Sequence, residues 1–139
     1  KQRKIIISRV VPPQPVMIHG DRLRLEQVLV NLLCNALDAT KSTEEPEIGI
    51  LLAAGEVVRL SVRDNGAGID DLDALFEPFY TTKQPGDGVG LGLAISSGII
   101  KDLGGRLTAR NASNGGAVFV IELPVMGQAS YEAETDAAE

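Results

Sequence analysis

The chain contains no Trp, one Cys and one His in 139 residues, and aromatic side chains make up only 4% of it. A single Cys cannot close an internal disulfide, so a secreted disulfide scaffold is excluded and a reducing compartment is compatible. The longest uninterrupted apolar runs, Ile50 to Ala54 and Ala117 to Ile121, fall far short of the roughly 18 residues that a membrane-spanning helix needs. Basic residues are in deficit: 13 Lys and Arg stand against 19 Asp and Glu, for a net charge of −6. A strong electrostatic binder of nucleic acid is basic, so that class is set aside. Much of the negative charge is local, because Glu132, Glu134, Asp136 and Glu139 lie close together at the end of the chain. Neither an initiating Met nor a signal-peptide pattern opens the sequence, so it reads as a piece of something longer. The length and an apolar content of 44% suit one domain with a single core.

The pattern along the chain predicts two short strands, Ile5–Val10 and Val16–His19, separated by a proline-rich turn. Asp21 is a fitting N-cap for a helix from Arg22 to about Thr40, whose apolar face is Leu25, Val28, Leu29, Leu32, Leu33 and Ala36. Strands follow at Glu47–Ala53 and Val57–Asp64, with Ala54-Gly55-Glu56 as the hairpin. Asn65 to Gly90 reads as loop, apart from a short helix at Asp70–Leu75. A second long helix, Leu91–Leu103, stops at Gly104-Gly105. A last strand pair, Arg106–Arg110 and Ala117–Leu123, ends at Pro124. Residues 126–139, Ala- and Glu-rich with little to bury, are expected to form a mobile acidic tail after a domain spanning residues 1–125. Antiparallel hairpins with two long helices predict an α+β two-layer sandwich with both helices on one face of the sheet.

Three features have the composition of a site. On the first long helix, Gln27, Asn31, Asn35 and Asp38 share one side, well away from the apolar face. A plain solvated face is rich in Lys and Glu, and two mid-helix Asn residues cost about 1 kcal/mol relative to Ala. A hard cation held beside phosphates would offset that cost, since Mg²⁺ takes only one or two protein oxygens. A wet polar face or a buried amide network is the alternative. Second, Asp64-Asn65-Gly66-Ala67-Gly68 leaves a strand directly, with an acid able to accept a hydrogen bond from an exocyclic amine such as that of adenine. It is also a common turn sequence. Third, Gly88-Val89-Gly90-Leu91-Gly92-Leu93 opens a helix, where backbone N–H groups can hold phosphate. A hinge or close helix packing is the alternative. A dinucleotide fingerprint needs a strand just before the glycines, and a Walker A loop needs Gly-Lys-Ser/Thr; neither is present.

Taken together these stretches resemble the sensor histidine kinases. Glu26 to Ala36 resembles their N box, Asp64 to Gly68 the G1 box, Leu75 to Lys83 the F box, Gly88 to Leu93 the G2 box, and Gly115 to Phe119 the closing glycine element. The resemblance runs from about Val16 to Pro124. The wording from Ile99 to Leu107 leans towards the kinases that sense four-carbon dicarboxylates.

The resemblance implies the Bergerat ATP-binding fold, with a mixed, mostly antiparallel sheet, and ATP and Mg²⁺ as cofactors. It implies that Asn35 ligands Mg²⁺, with Asn31 beside the phosphates. Asp64 would take the adenine amine, with Gly66 and Gly68 shaping the base pocket, and Asp38 and Ile69 would also belong to the nucleotide site. Thr82, Lys83, Gly88, Val89, Gly90, Leu91, Gly92 and Leu93 would complete the nucleotide site, within and after a lid at Tyr80 to Val89. Asn31, Asn35 and Lys83 would carry the catalytic roles. Phe76 and Phe79 would anchor the lid, dock a partner domain or pack in the core. ATPase branches of the superfamily carry a Glu where Asn31 stands, and Asn is a poor general base. The implied activity is therefore phosphoryl transfer to a His on a separate dimerising domain, and onward to a response regulator, in a homodimeric full-length kinase. No nucleic-acid partner and no membrane contact by this domain are expected; the domain is expected on the cytoplasmic side of a bacterial inner-membrane protein. A self-contained ATPase and a non-catalytic adenine-nucleotide-binding module are the alternatives. Cys34 reads as a small packing residue and His19 as structural or exposed. Ala117 and Ala39 depart from the Thr and the aromatic that many relatives carry.

Overall fold

The computed structural model describes residues 4–78 and 92–125. Among them the elements run β1 (Ile6–Val10), α1 (Arg22–Ala39), β2 (Glu47–Ala54), β3 (Val57–Asp64), α2 (Gly92–Asp102), β4 (Arg106–Asn111) and β5 (Ala117–Pro124). The expected tail and the whole of the expected lid lie outside the described residues.

The first helix begins where its cap chemistry dictates. Asp21 is extended, with φ −95° and ψ 115°, and its Oδ1 accepts from Leu23 N at 3.0 Å and Arg24 N at 3.3 Å. Those bonds satisfy donors that the helix itself leaves free. At the other end, the buried Thr40 donates from Oγ1 to Ala36 O at 2.8 Å. Between the caps, Val28, Leu32 and Ala36 recur every fourth residue as a fully buried ridge, flanked by the partly buried Leu25, Leu29 and Leu33. This is the face that periodicity predicts.

The sheet has five strands in the order β1-β2-β3-β5-β4. β1 pairs with β2 in parallel, and the other pairs are antiparallel. Both helices cover one face: α1 rests on β3, α2 rests on β4, and the helices touch each other. Period-two alternation sends Ile48, Val62, Leu107, Phe119 and Ile121 into that layer, against Val28, Leu32, Ile99 and Ile100. Register aligns Val62 with Phe119 and Ile121 with Leu107. The opposite face is mixed, with Leu51, Val118 and Val120 beside Arg59, Arg106 and Glu122. There Glu122 accepts from Arg106 Nε at 2.6 Å and Arg59 Nε at 2.7 Å, and these bonds hold its carboxyl below the usual range. Exposed pairs of this kind contribute little to stability. The α+β sandwich expected from the hairpins and helices is the observed architecture, and no helix among the described residues is long and apolar enough to cross a membrane.

Two expected elements do not form. Val16–His19 is not a strand. Its alternation is present, with Ile18 packed on the core and Met17 outward, but β1 already pairs with β2, and Pro12, Pro13 and Pro15 offer no N–H for a ladder. Asp70–Leu75 is a turn, not a helix. Asp71 does cap it, accepting from Asp73 N and Ala74 N, yet the run before Pro78 is too short to propagate. Two side chains also sit elsewhere than expected. Cys34 is exposed rather than packed, because it lies about 200° around the helix from Leu32. Phe76 packs against the core, while Phe79 lies outside the described residues.

α2 stops at the predicted glycines. Gly104 has φ +85°, and Gly105 N returns to Ile100 O at 2.9 Å. A Cβ on Gly105 would stand 1.9 Å from Glu122 O of the neighbouring strand, whereas one on Gly55 would meet nothing within 4 Å. Gly105→Ala is therefore expected to cost about 2–3 kcal/mol, lowering Tm by roughly 10 °C. Gly55→Ala, measured by the same thermal melts, is the control and should change Tm far less.

Candidate functional site

β3 ends at Asp64, and the sheet register decides what surrounds it. Asp64 pairs with Ile48 on β2, so its side chain turns to the helix-covered face, where it is only 4% exposed. Its Oδ1 accepts from Gly66 N at 2.8 Å and from Ala117 N of β5 at 3.3 Å. Oδ2 accepts from no described residue. Burial raises the Asp64 pKa above the ordinary aspartate value, and the two backbone donors only partly offset this. A buried carboxylate with one oxygen tied and the other uncommitted can receive a donor from a ligand.

The glycine loop after Asp64 is pinned on three sides. Asn65 Oδ1 accepts from Glu47 N at 2.8 Å, and its Nδ2 donates to Glu45 O at 2.9 Å. Ala67 N donates to Ala39 O at the end of α1 at 3.3 Å. A Cβ on Gly66 would lie 2.1 Å from that same Ala39 O, so glycine is required here by the approach of α1. Gly68 is required by its φ of +86°. Beyond it, the Asn111 side-chain amide meets the backbone of Ile69 twice, accepting from Ile69 N at 2.7 Å and donating to Ile69 O at 3.0 Å.

The polar stripe of α1 faces the start of α2. Asn31 donates from Nδ2 to Ser96 Oγ at 3.0 Å and to Gly92 O at 3.4 Å. Ser96 is fully buried. The carboxamide is thereby oriented, and its oxygen is left for another partner. Asn31 and Asn35 are half-buried, while Gln27 and Asp38 are exposed; Asp38 makes an interaction of its own. The stripe is thus partly the amide network that the sequence left open.

Of the residues singled out from the sequence, the fold unites Asp64, Gly66, Gly68 and Ile69 in one loop and brings Asn31 against Gly92. Leu93 packs on the core. Thr82, Lys83, Gly88, Val89, Gly90 and Leu91 lie outside the described residues. Ser96 and Asn111 did not emerge from the sequence, and the only local hint was the polarity of Ser96 inside an apolar helix. Among the described residues no three His, Cys, Asp or Glu side chains cluster to hold a metal. The half-buried oxygens of the α1 stripe are the amide ones of Asn31 and Asn35, which suit a hard ion that keeps most of its water.

Comparison with known proteins decides the family. Residues 20–127 match the family described as histidine kinase-, DNA gyrase B-, and HSP90-like ATPase. The chain belongs to this ATPase family. Within it, the chain is 38% identical to the two-component sensor PprA of Pseudomonas aeruginosa over 93% of its own length and 15% of that protein's. It is 43% identical to the C4-dicarboxylate transport sensor protein DctB of the same organism, over 84% of this chain and 20% of DctB. The catalytic domain of histidine kinase ThkA superposes with a TM-score of 0.75 at 36% identity, covering 86% of this chain and 80% of that one. ThkA has also been solved in complex with the response regulator protein TrrA, where the match has a TM-score of 0.71 at 35% identity and covers 86% of this chain and 34% of the kinase. The chain thus spans a small part of the sensor proteins it matches and nearly all of a histidine-kinase catalytic domain. It is a histidine-kinase-type ATPase domain, and the expected fold and family both hold.

A family member with a buried acid at this position carries a stability cost. Folding raises the Asp64 pKa, so the folded state holds its proton more readily than the unfolded chain does. Stability therefore falls as pH rises from the ordinary aspartate value through the raised one. Asp64→Asn is expected to melt higher than the unsubstituted domain at neutral pH without nucleotide, with the gap closing in acid. A lower melting temperature for the variant at neutral pH would refute the burial cost.

Proposed function

We propose that this domain binds ATP with Mg²⁺ and donates the γ-phosphoryl group to a histidine on a separate dimerisation domain of the same kinase. From there the group would pass to a response regulator. The family match supports nucleotide binding; the residue-level roles follow the motif resemblance, and the geometry around Asp64 and Asn31 is consistent with them. Asp64 Oδ2 accepts the adenine amine while Oδ1 stays on Gly66 and Ala117. Gly68 and Ile69 line the base, Asn31 and Asp38 stand beside the phosphates, and Asn35 offers its amide oxygen to the cation. Mg²⁺, when bound, neutralises developing charge on the phosphate oxygens. Gly88, Val89, Gly90, Leu91, Gly92 and Leu93 would supply phosphate contacts at the start of α2, with Thr82 and Lys83 in the lid.

One observation carries the choice of kinase over self-contained ATPase: the Asn31 amide is anchored as a donor to Ser96 and Gly92. A carboxylate at this position could take a proton from an attacking water, but an amide cannot. The chain therefore positions ATP and excludes rapid hydrolysis, leaving the phosphoryl group for an external acceptor. The likeness to DctB and to a kinase solved with its response regulator supports a two-component setting and a four-carbon dicarboxylate as the signal; a homodimeric full-length protein is part of the same reading. A bacterial inner membrane, with this domain on its cytoplasmic side, fits that setting.

Two experiments test this reading. The domain, mixed with radiolabelled ATP, Mg²⁺ and a separately expressed histidine-bearing helical hairpin from the full-length kinase, should label the hairpin while releasing little ADP alone. Fast ADP release without the hairpin would make it an ATPase. In calorimetry, Asn35→Ala should abolish the Mg²⁺-dependent part of ATP affinity, a loss of about tenfold or more. Unchanged Mg²⁺ dependence would remove Asn35 from the metal.

A further inference from the structure

We infer that Asn111 is a positioning residue for base recognition, acting through Ile69 to hold the wall of the adenine pocket. The inference rests on the adenine-nucleotide reading of Asp64 and adds to it a residue that touches neither nucleotide nor metal. The juxtaposition is specific. Asn111 is the last residue of β4, and both polar atoms of its amide engage the backbone of one residue, bridging the two peptide units that flank its Cα: Ile69 N at 2.7 Å and Ile69 O at 3.0 Å, across 42 positions of sequence. A paired donor and acceptor fixes the rotation of that backbone as well as its distance. The same Oδ1 stands 3.0 Å from the place a Cβ would occupy on Gly68, so the side chain also closes the outer side of the left-handed turn.

The hairpin that carries Asn111 is itself tied to the carboxylate. Ala112 N donates to Gly116 O at 2.9 Å, and Gly116, at φ +89°, packs so closely on β3 that a Cβ would lie 2.0 Å from Asp64 O. The next residue, Ala117, donates to Asp64 Oδ1. One turn, residues 111–117, therefore sets both the acceptor for the base amine and the loop that would flank the base. Without Asn111, Asp64 keeps its two backbone donors, but the backbone at Gly68–Ile69 loses its fixed orientation relative to them. Exposed hydrogen bonds add little to global stability, so the effect falls on fit rather than on folding.

The test compares Asn111→Ala, Asn111→Asp and Asp64→Asn with the unsubstituted domain, titrating each with ATP and GTP in the presence and absence of Mg²⁺. Asn111→Ala should weaken ATP about tenfold and shrink the preference for ATP over GTP. Its Mg²⁺ dependence should be retained and its Tm should change little. Asn111→Asp keeps the acceptor for Ile69 N but faces Ile69 O without a donor, and should also lose selectivity. Amide exchange at Ile69 should accelerate in both. If Asp64→Asn loses base selectivity while both Asn111 variants keep it, the Asn111 role is overturned and the adenine reading stands. If the unsubstituted domain itself does not prefer ATP, both fall together.

Discussion

The ligand-facing end of the molecule depends on one close approach, that of the C-terminal carbonyl of α1 to the glycine loop after β3. Ala39 O accepts from Ala67 N, and the same oxygen occupies the space a side chain on Gly66 would need. This contact joins the helix layer to the end of the central sheet. It ties the loop after Asp64 to the helix that carries Asn31 and Asn35, so the proposed base-side and phosphate-side residues share one frame. The Thr40 cap, buried and bonded back to Ala36, keeps the last turn of α1 from fraying where that contact is made.

Against this frame Asp64 stands out as a group the fold would do better without. A protonated or neutral side chain would satisfy Gly66 and Ala117 as well, at lower desolvation cost. A buried acid at a strand end, with one oxygen free of described donors, is what the proposed recognition role would require at a cost in stability. Asn31 follows a different logic. It costs helix propensity but recovers part of that through bonds to α2, and so serves packing and ligand geometry together.

Much of this was legible in the sequence wherever a short-range rule applied. The Asp21 cap, the buried ridge of α1 and the Gly104-Gly105 stop are local patterns, and all three appear as read. Errors arose where a local pattern lacked its tertiary partner. Val16–His19 alternates like a strand but has no ladder to join, and Asp71 caps a turn that Pro78 prevents from growing. Cys34 shows the reverse failing, since its small size invited a packing role that its helical angle denies. Asn111 and Ser96 were invisible for a plainer reason: their partners lie 42 and 65 residues away, and nothing in an isolated Asn or Ser marks such a bond. The glycines after Asp64 were legible because each meets a distinct backbone demand, the close approach at Gly66 and the positive φ of Gly68.

The strand order carries a consequence for how the molecule is assembled. β3 and β5 are neighbours, yet Asp64 and Ala117 are 53 residues apart, with α2 and β4 intervening. Loop closure over that distance is a late and entropically costly step in folding. The pair of backbone donors on Asp64 is complete only when β5 lies beside β3. On the proposed reading, nucleotide would engage a carboxylate held by that long-range pairing, and binding would report that the sheet has closed.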